Sequence, residues 1–260
     1  MSDAEFKVFS QFGDDGIIQY LIRRLQIEPR TFIEFGVDNY KESNTRYLLA
    51  ANDWKGLVID ADDLNIQSIK QDDLYWQHDL TAVCSFVTTQ NIDQIFESNG
   101  FHGELGLLSV DIDGNDYHLW EAISSVQPKI VIVEYNSVFG AERAVTIPYD
   151  PSFRRHAAHH SGLYAGASLK ALWMLAQRKG YGFIGSNSAG NNAYFVRLDK
   201  LSGLRPLSVA EGFVESRFRE SKDARGLPTF LRGSERLKAI QEFPIYDIEA
   251  GSVIKIQDLL

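Results

Sequence analysis

Lys129-Ile130-Val131-Ile132-Val133-Glu134-Tyr135 is the stretch on which the fold turns. Its four central residues are β-branched and leave no polar face, which suits a strand buried on both sides. Upstream, Leu105 to Ile112 reads Leu-Gly-Leu-Leu-Ser-Val-Asp-Ile and has the same character. A helix carrying Tyr117, Leu119, Trp120 and Ile123 is expected between the two. Further back, Thr31 to Gly36 and Leu57 to Asp60 are short apolar strands, and Tyr75 to Asp79 reads weakly as a third strand. Helices are expected over Ile17 to Leu25, Arg46 to Asn52, Asp62 to Lys70 and Asn91 to Ser98. The first follows the Gly13-Asp14-Asp15-Gly16 turn and stops before Pro29. Ser43-Asn44-Thr45 offers a cap for the second. Strands alternating with helices, and buried on both faces, predict an open parallel sheet with helices on either side.

Downstream of Tyr135 the rhythm breaks. Residues 136–166 hold Pro148, Pro151, several glycines and three histidines, and read as a long excursion over the sheet edge. Long excursions in compact domains are often functional. Ser168 to Lys179 returns as a helix stopped by Gly180. Tyr181 to Ile184 and Asn192 to Arg197 then form an antiparallel pair joined by the turn-rich residues 185–191. The expectation is an α/β, Rossmann-like domain with a mostly parallel central sheet and an antiparallel last strand. It spans residues 1–200, with an N-terminal helix and an active-site insertion near 137–166. Residues 201–260 form a C-terminal extension packing on the same domain.

Composition narrows the function. The chain has 260 residues, 44% hydrophobic and 23% charged, as an ordinary globular protein does. Its formal charge of −9 argues against a nucleic-acid partner, which needs a basic surface. A single cysteine, Cys84, allows no internal disulfide and points to a reducing compartment, so a cytoplasmic location is expected. No apolar run is long enough to span a membrane. The sequence does not set the oligomeric state, and a homo-oligomer is among the expectations.

Ligands of open α/β sheets lie at the carboxyl ends of the strands. The acids expected there are Glu34, Asp60, Asp79, Asp111 with Asp113, and Glu134. The first loop, Gly36-Val37-Asp38-Asn39, lacks the glycine fingerprint that lets a pyrophosphate approach the backbone. That disfavours an NAD-linked oxidoreductase. A ligand with a cationic amino-acid end and a ribose fits better, with Asp60 placed to accept ribose hydroxyls. Asp111 and Asp113 stand two residues apart and share a face in extended chain, and Glu134 and Asn136 repeat that spacing. Three carboxylates and an amide oxygen are the donors magnesium or calcium accepts. His156 and His159, in the excursion, are candidate bases for a hydroxyl. His160 adjoins His159 and must point elsewhere. Tyr149 and Tyr164 flank the region and could stack on a sugar or pack in the core. Arg217 to Gly226 interleaves arginines with acids and reads as a phosphate clamp or, more simply, as a solvated helix.

The succession Glu-Phe-Gly, Val-Ile-Asp, Asp-Leu and Ser-Val-Asp-Ile-Asp-Gly resembles class I S-adenosylmethionine-dependent methyltransferases. It is most similar to the FkbM-like sugar and polyketide O-methyltransferases, whose Asp-Val-Glu-Gly stretch matches Asp111-Ile112-Asp113-Gly114. The resemblance covers about residues 8–198, and Ser10 to Gly16 is similar to the helix that precedes the core in that group. Asp38 replaces the second glycine of the usual first loop. The resemblance implies S-adenosyl-L-methionine as cofactor. Glu34, Gly36 and Asp38 would line its methionine end, Asp60 and Ala61 its ribose, and Asp79 and Leu80 its adenine. Asp111 would face the methionine amino group or a metal. Macrocin-type and catechol O-methyltransferases resemble the chain in their oxygen ligands, which implies a Mg2+ site at Asp111, Asp113, Glu134 and Asn136. The expected activity is O-methylation of a small-molecule or saccharide acceptor, as in polysaccharide biosynthesis. The alternative is an inactive methyltransferase-like binding module.

Overall fold

The computed structural model describes residues 1–217 and 221–259. Its main sheet has seven strands: β1 (Thr31–Phe35), β2 (Lys55–Asp60), β3 (Leu80–Cys84), β4 (Gly103–Val110) and β5 (Val126–Glu134). A two-residue strand, β6 (Val145–Thr146), lies apart, and β7 (Tyr181–Ser186) and β8 (Asn192–Arg197) complete the sheet. The order is β3-β2-β1-β4-β5-β8-β7. Strands β1 to β5 pair in parallel, and β8 runs antiparallel between β5 and β7. The expected Rossmann-like sheet with an antiparallel last strand is what forms.

The Ile130–Val133 run shows why. Ile130 and Ile132 face one layer with Phe32, Val58, Leu107 and Tyr194, under helices Asp14–Leu25, Arg46–Asn52 and Asp63–Gln71. Val131 and Val133 face the other with Ile33, Phe35, Leu57 and Phe195, under helices Ile92–Ser98, Asp116–Ala122 and Leu169–Lys179. All four are buried, each contributing about 1.5–3 kcal/mol relative to exposure.

The excursion and the C-terminal segment make a third core. Phe139, Val145, Ile147, Leu163 and Tyr164 pack on Leu237, Ile240, Ile245 and Ile256. The strands β9 (Pro244–Asp247) and β10 (Ser252–Lys255) form a hairpin, and β9 pairs with β6. The insertion is therefore braced from behind by the end of the chain.

One expected strand is absent. Asp73–Gln77 is a short helix, because the Asp72 carboxylate accepts the Leu74 N–H at 3.0 Å and caps it. The third strand starts at Leu80, with Leu80 paired to Gly56 at the start of β2. In Arg217 to Gly226, residues 218–220 lie outside those described. Residues Lys222 and Pro228 bridge across a turn in which Asp223 pairs with Arg225, so residues 221–226 form a turn rather than a solvated helix.

Candidate active site

A cleft of about 640 Å³ runs along the carboxyl ends of β2, β1, β4 and β5. Phe153 to Ala157 of the insertion roof it, and Asn191 and Asn192 form its far wall. The floor is set by one glycine. Gly36 has φ +75°, and a Cβ on it would lie 1.6 Å from the Asp111 carbonyl oxygen. Only glycine lets β1 and β4 end this close together. Asp38, two residues on, also holds a left-handed conformation (φ 47°). Aspartate is among the few residues that tolerate it, so the loop does not need the second glycine.

Asp60 closes β2 as expected. Its Oδ2 accepts the Asp38 N–H at 2.9 Å, and its Oδ1 accepts the Asp62 N–H at 2.8 Å and Asn65 Nδ2 at 3.1 Å. A carboxylate offers about four acceptor positions, so Oδ2 keeps room for a hydroxyl. Ala61 lines the cleft beside it.

Glu34 lines the cleft with Gly36 and Asp38 and also holds the neighbouring loop. Its carboxylate accepts the N–H groups of Asn44 and Thr45 at 3.0 and 3.1 Å, and the hydroxyls of Ser43, Thr45 and Ser109. Ser43-Asn44-Thr45 gives its donors to Glu34 rather than capping the following helix with a side chain. Burial pushes the Glu34 carboxyl up, and the bonds from Ser43 and Thr45 pull against that. It ties the loop that forms one wall of the cleft.

Asp79 and Leu80 do not reach the site that the sequence suggests for them. They stand at the amino end of β3, where Asp79 faces Lys55 at 3.6 Å, far from the cleft. The residues that line the cleft past the carboxyl end of β3 are Ser85, Phe86 and Val87.

Past the ends of β4 and β5, Asp111, Asp113 and Glu134 bring carboxylate oxygens within 4.8 Å of one another. Burial, then the charges of Glu134, Asp116 and Asp113, hold the Asp111 carboxyl well above the usual range. Asp116 fixes the loop that carries the first two. Its carboxylate accepts the N–H groups of Ile112 and Gly114, each at 2.9 Å. Asp113 also receives Arg155 Nη1 at 2.5 Å. Asn136 does not join the trio. The Asn136 backbone is still extended (φ −92°, ψ 100°), but its side chain is taken up by capping the turn Ser137–Phe139. Its Nδ2 donates to the carbonyls of Leu163 and Ala165, both at 2.9 Å, and its Oδ1 accepts the Val138 N–H.

The sequence profile of the Methyltransferase FkbM domain matches residues 15–181, more than half of the chain. The chain belongs to the FkbM methyltransferase family. It is a class I, S-adenosylmethionine-dependent methyltransferase. No curated protein sequence matches it. Among solved structures it is similar to the S-adenosylhomocysteine complex of an O-methyltransferase from Bacillus cereus, at 13% identity, TM-score 0.44, covering 75% of this chain and 85% of that one. A Clostridium acetobutylicum S-adenosylmethionine-dependent methyltransferase gives 8%, 0.45, 71% and 90%. The N-terminal domain of EvdMO1 with S-adenosylhomocysteine bound gives 9%, 0.44, 72% and 80%.

The histidines of this methyltransferase separate cleanly. His156 lines the cleft. His159 is held away by Ser161, whose Oγ lies 2.7 Å from Nδ1, and its ring packs on His160 and Phe243. Tyr164 packs on Phe153 and Phe243 with its hydroxyl donated to the Pro244 carbonyl. Tyr149 receives the Thr89 N–H and donates to Gln90, which ties the insertion to the segment after β3. Among the described residues no helix is long and apolar enough to cross a membrane.

Sequence reasoning missed Asn191 and Asn192, read only as the end of a turn and the start of a strand. It also missed Asp14, a buried carboxylate that receives Asn187, Asn192 and Tyr194. Only a very polar turn beside a strand end signalled them.

Proposed function

We propose that this methyltransferase acts on a hydroxyl oxygen of a small polar acceptor, a saccharide or a glycan or polyketide precursor. The observation that carries the reading is the Asp111–Asp113–Glu134 carboxylate trio under the insertion, at the end of the cleft opposite Asp60. S-adenosylmethionine supplies an electrophilic methyl group on a sulfonium. Asp60 holds a ribose hydroxyl through Oδ2, Ser85 to Val87 flank the adenine in place of Asp79 and Leu80, and the loop at Gly36 and Asp38 leaves room for the methionine end. The carboxylates favour a sulfonium and an ammonium by charge.

Asp111 is suited to take the hydroxyl proton, because burial and the neighbouring carboxylates raise its proton affinity above that of an ordinary carboxylate. His156 lies in the same cleft and replaces His159 as the histidine within reach of an acceptor. The trio also offers hard oxygen donors of the kind Mg2+ accepts. When bound, such an ion would lower the pKa of an acceptor hydroxyl. Arg155 is the cation it must displace from Asp113.

The test is calorimetric titration of the metal-stripped protein with S-adenosylhomocysteine, with and without magnesium, followed by turnover on a sugar panel. Binding should occur in both states. Asp111→Asn should abolish turnover without lowering the melting temperature, and His156→Gln should lower turnover less. Turnover that rises with magnesium supports the metal. Absence of S-adenosylhomocysteine binding in either state would refute the reading.

A further inference from the structure

Past the end of β5 lies a second, smaller chamber of about 60 Å³. That is several times the roughly 10–15 Å³ one water needs. The chamber shares Glu134, Arg155 and His156 with the cleft, so the two meet beside the carboxylate trio. The insertion contributes Ser161 and Gly162 to its wall, and the C-terminal extension contributes Ser216, Ser221 and Arg236.

The charges on this wall are unequal. Arg155, His156 and Arg236 border the chamber, and among the described residues Glu134 is the only acid that does. Arg155 is paired with Asp113, and Arg236 with Glu215 at 2.7 Å. Neither of those carboxylates borders the chamber. Their side chains are 57% and 58% exposed, so water weakens the hold of each, whereas the arginine side chains are only 23% and 8% exposed. A cation on the buried side of such a pair is incompletely compensated. Hydroxyls add donors. Ser216 accepts Arg236 Nη1 at 2.9 Å and lies 2.6 Å from the Ser137 hydroxyl, whose oxygen receives the Ser216 N–H. Whichever of the two serines donates, one hydroxyl hydrogen of the pair is left for a further acceptor. Both serines border the chamber.

Its place assigns the chamber to the acceptor rather than the cofactor. Asp60 ends β2, and in the order β2-β1-β4-β5 the end of β5 lies three strands away, or roughly 14 Å. The chamber opens beyond that end, on the far side of the trio from Asp60. An anion placed among Asp111, Asp113 and Glu134 would meet like charge, and one placed in the chamber would meet donors.

We propose that the chamber holds a compact oxyanion of the acceptor, a carboxylate or a phosphate, through Arg155, Arg236 and the Ser137–Ser216 pair. The hydroxyl to be methylated then stands beside Asp111 and Glu134, within the reach of one sugar ring. This rests on the methyl-transfer reading above and makes the acceptor an acidic one.

The experiment loads the protein with S-adenosylhomocysteine and titrates it with two matched pairs. Methyl α-D-glucuronide is set against methyl α-D-glucopyranoside, and D-glucose 6-phosphate against D-glucose. In wild type at least one acidic member should bind about tenfold or more tightly than its neutral match, as expected for one charged hydrogen bond. The pair that shows the preference tells carboxylate from phosphate. Glu215→Gln removes an exposed competitor for Arg236 and should raise the preference severalfold, which a merely structural role for Arg236 would not do. Arg236→Gln should narrow the preference while S-adenosylhomocysteine affinity stays within about twofold. The wild-type comparison and Glu215→Gln decide the matter even where Arg236→Gln does not fold. Equal or better binding of both neutral sugars by wild type, an unchanged preference in Glu215→Gln, or binding of none of the four would overturn the proposal. If none binds but S-adenosylhomocysteine does, the methyltransferase reading stands alone. Loss of S-adenosylhomocysteine binding would bring down both.

Discussion

Replacing Gly36 by alanine should damage both the fold and the cofactor site, by an amount the geometry bounds. The added Cβ would stand 1.6 Å from the Asp111 carbonyl oxygen, so the ends of β1 and β4 must part by roughly 1.8 Å to reach ordinary contact. The left-handed backbone alone costs about 1–2 kcal/mol for a residue with a Cβ. Overpacking adds about 1–3 kcal/mol. Gly180 provides the control, since it has φ +82° and no atom within 4 Å of the place an added methyl would take. Gly180→Ala should therefore show the backbone cost by itself, a loss of about 2–6 °C in melting temperature for a chain of this size. Gly36→Ala should lose at least about twice that. It should also weaken S-adenosylhomocysteine at least about tenfold, because Asp111 moves with the strand end and small misplacements at a site are costly. Differential scanning calorimetry and binding calorimetry on the two variants decide the matter. A Gly36→Ala protein that melts no lower than Gly180→Ala and binds like wild type would refute the reasoning.

Asp60→Ala should weaken S-adenosylhomocysteine by about tenfold or more, since it loses a charged acceptor. Asp79→Ala should leave that affinity unchanged in the same titration, because Asp79 lies at the opposite end of its strand. Glu34→Gln should destabilise the protein by about 2–4 kcal/mol in urea unfolding, as an amide cannot accept from all the donors that Glu34 gathers. Asp116 gives a pH signature. Burial raises its pKa to about 6 from an ordinary value of 3.8. The folded state then holds the proton more tightly than the unfolded state, so stability falls as pH rises from about 4 to about 6. The full shift is worth about 3 kcal/mol. Melting curves across that range should flatten in Asp116→Asn, and an unchanged slope would count against the assignment.

The strands that could be read from sequence are the ones buried on both faces. Ile130 to Val133 and Leu105 to Val110 have no polar residue to confuse them except Ser109. Strand β3 was harder because it is an edge strand, alternately buried and half-exposed. The aromatic pair Tyr75-Trp76 just before it looks more strand-like than it does, and only the Asp72 cap turns that pair into a helix. Asp60, Gly36, Asp111 and Glu134 were legible because a strand end is a local property. Asn136 was not, because its amide is committed to the turn that follows and to the Leu163 and Ala165 carbonyls, 27 and 29 residues away in sequence. Asn192 was invisible for another reason: the carboxylate that orients it is 178 residues away in sequence. Periodicity carries no information about such a pair.

The two-residue strand β6 has an implication for synthesis on the ribosome. All seven strands of the large sheet are present once residue 197 has emerged. The partners of Val145 and Thr146 on their open edge are Asp247 and Tyr246, which are translated about a hundred residues after β6 itself. The nascent chain can thus assemble the large sheet early, while the ladder that braces the insertion waits for residues 244–247. The bracing of the insertion and the synthesis of that later segment are coupled by this one short ladder.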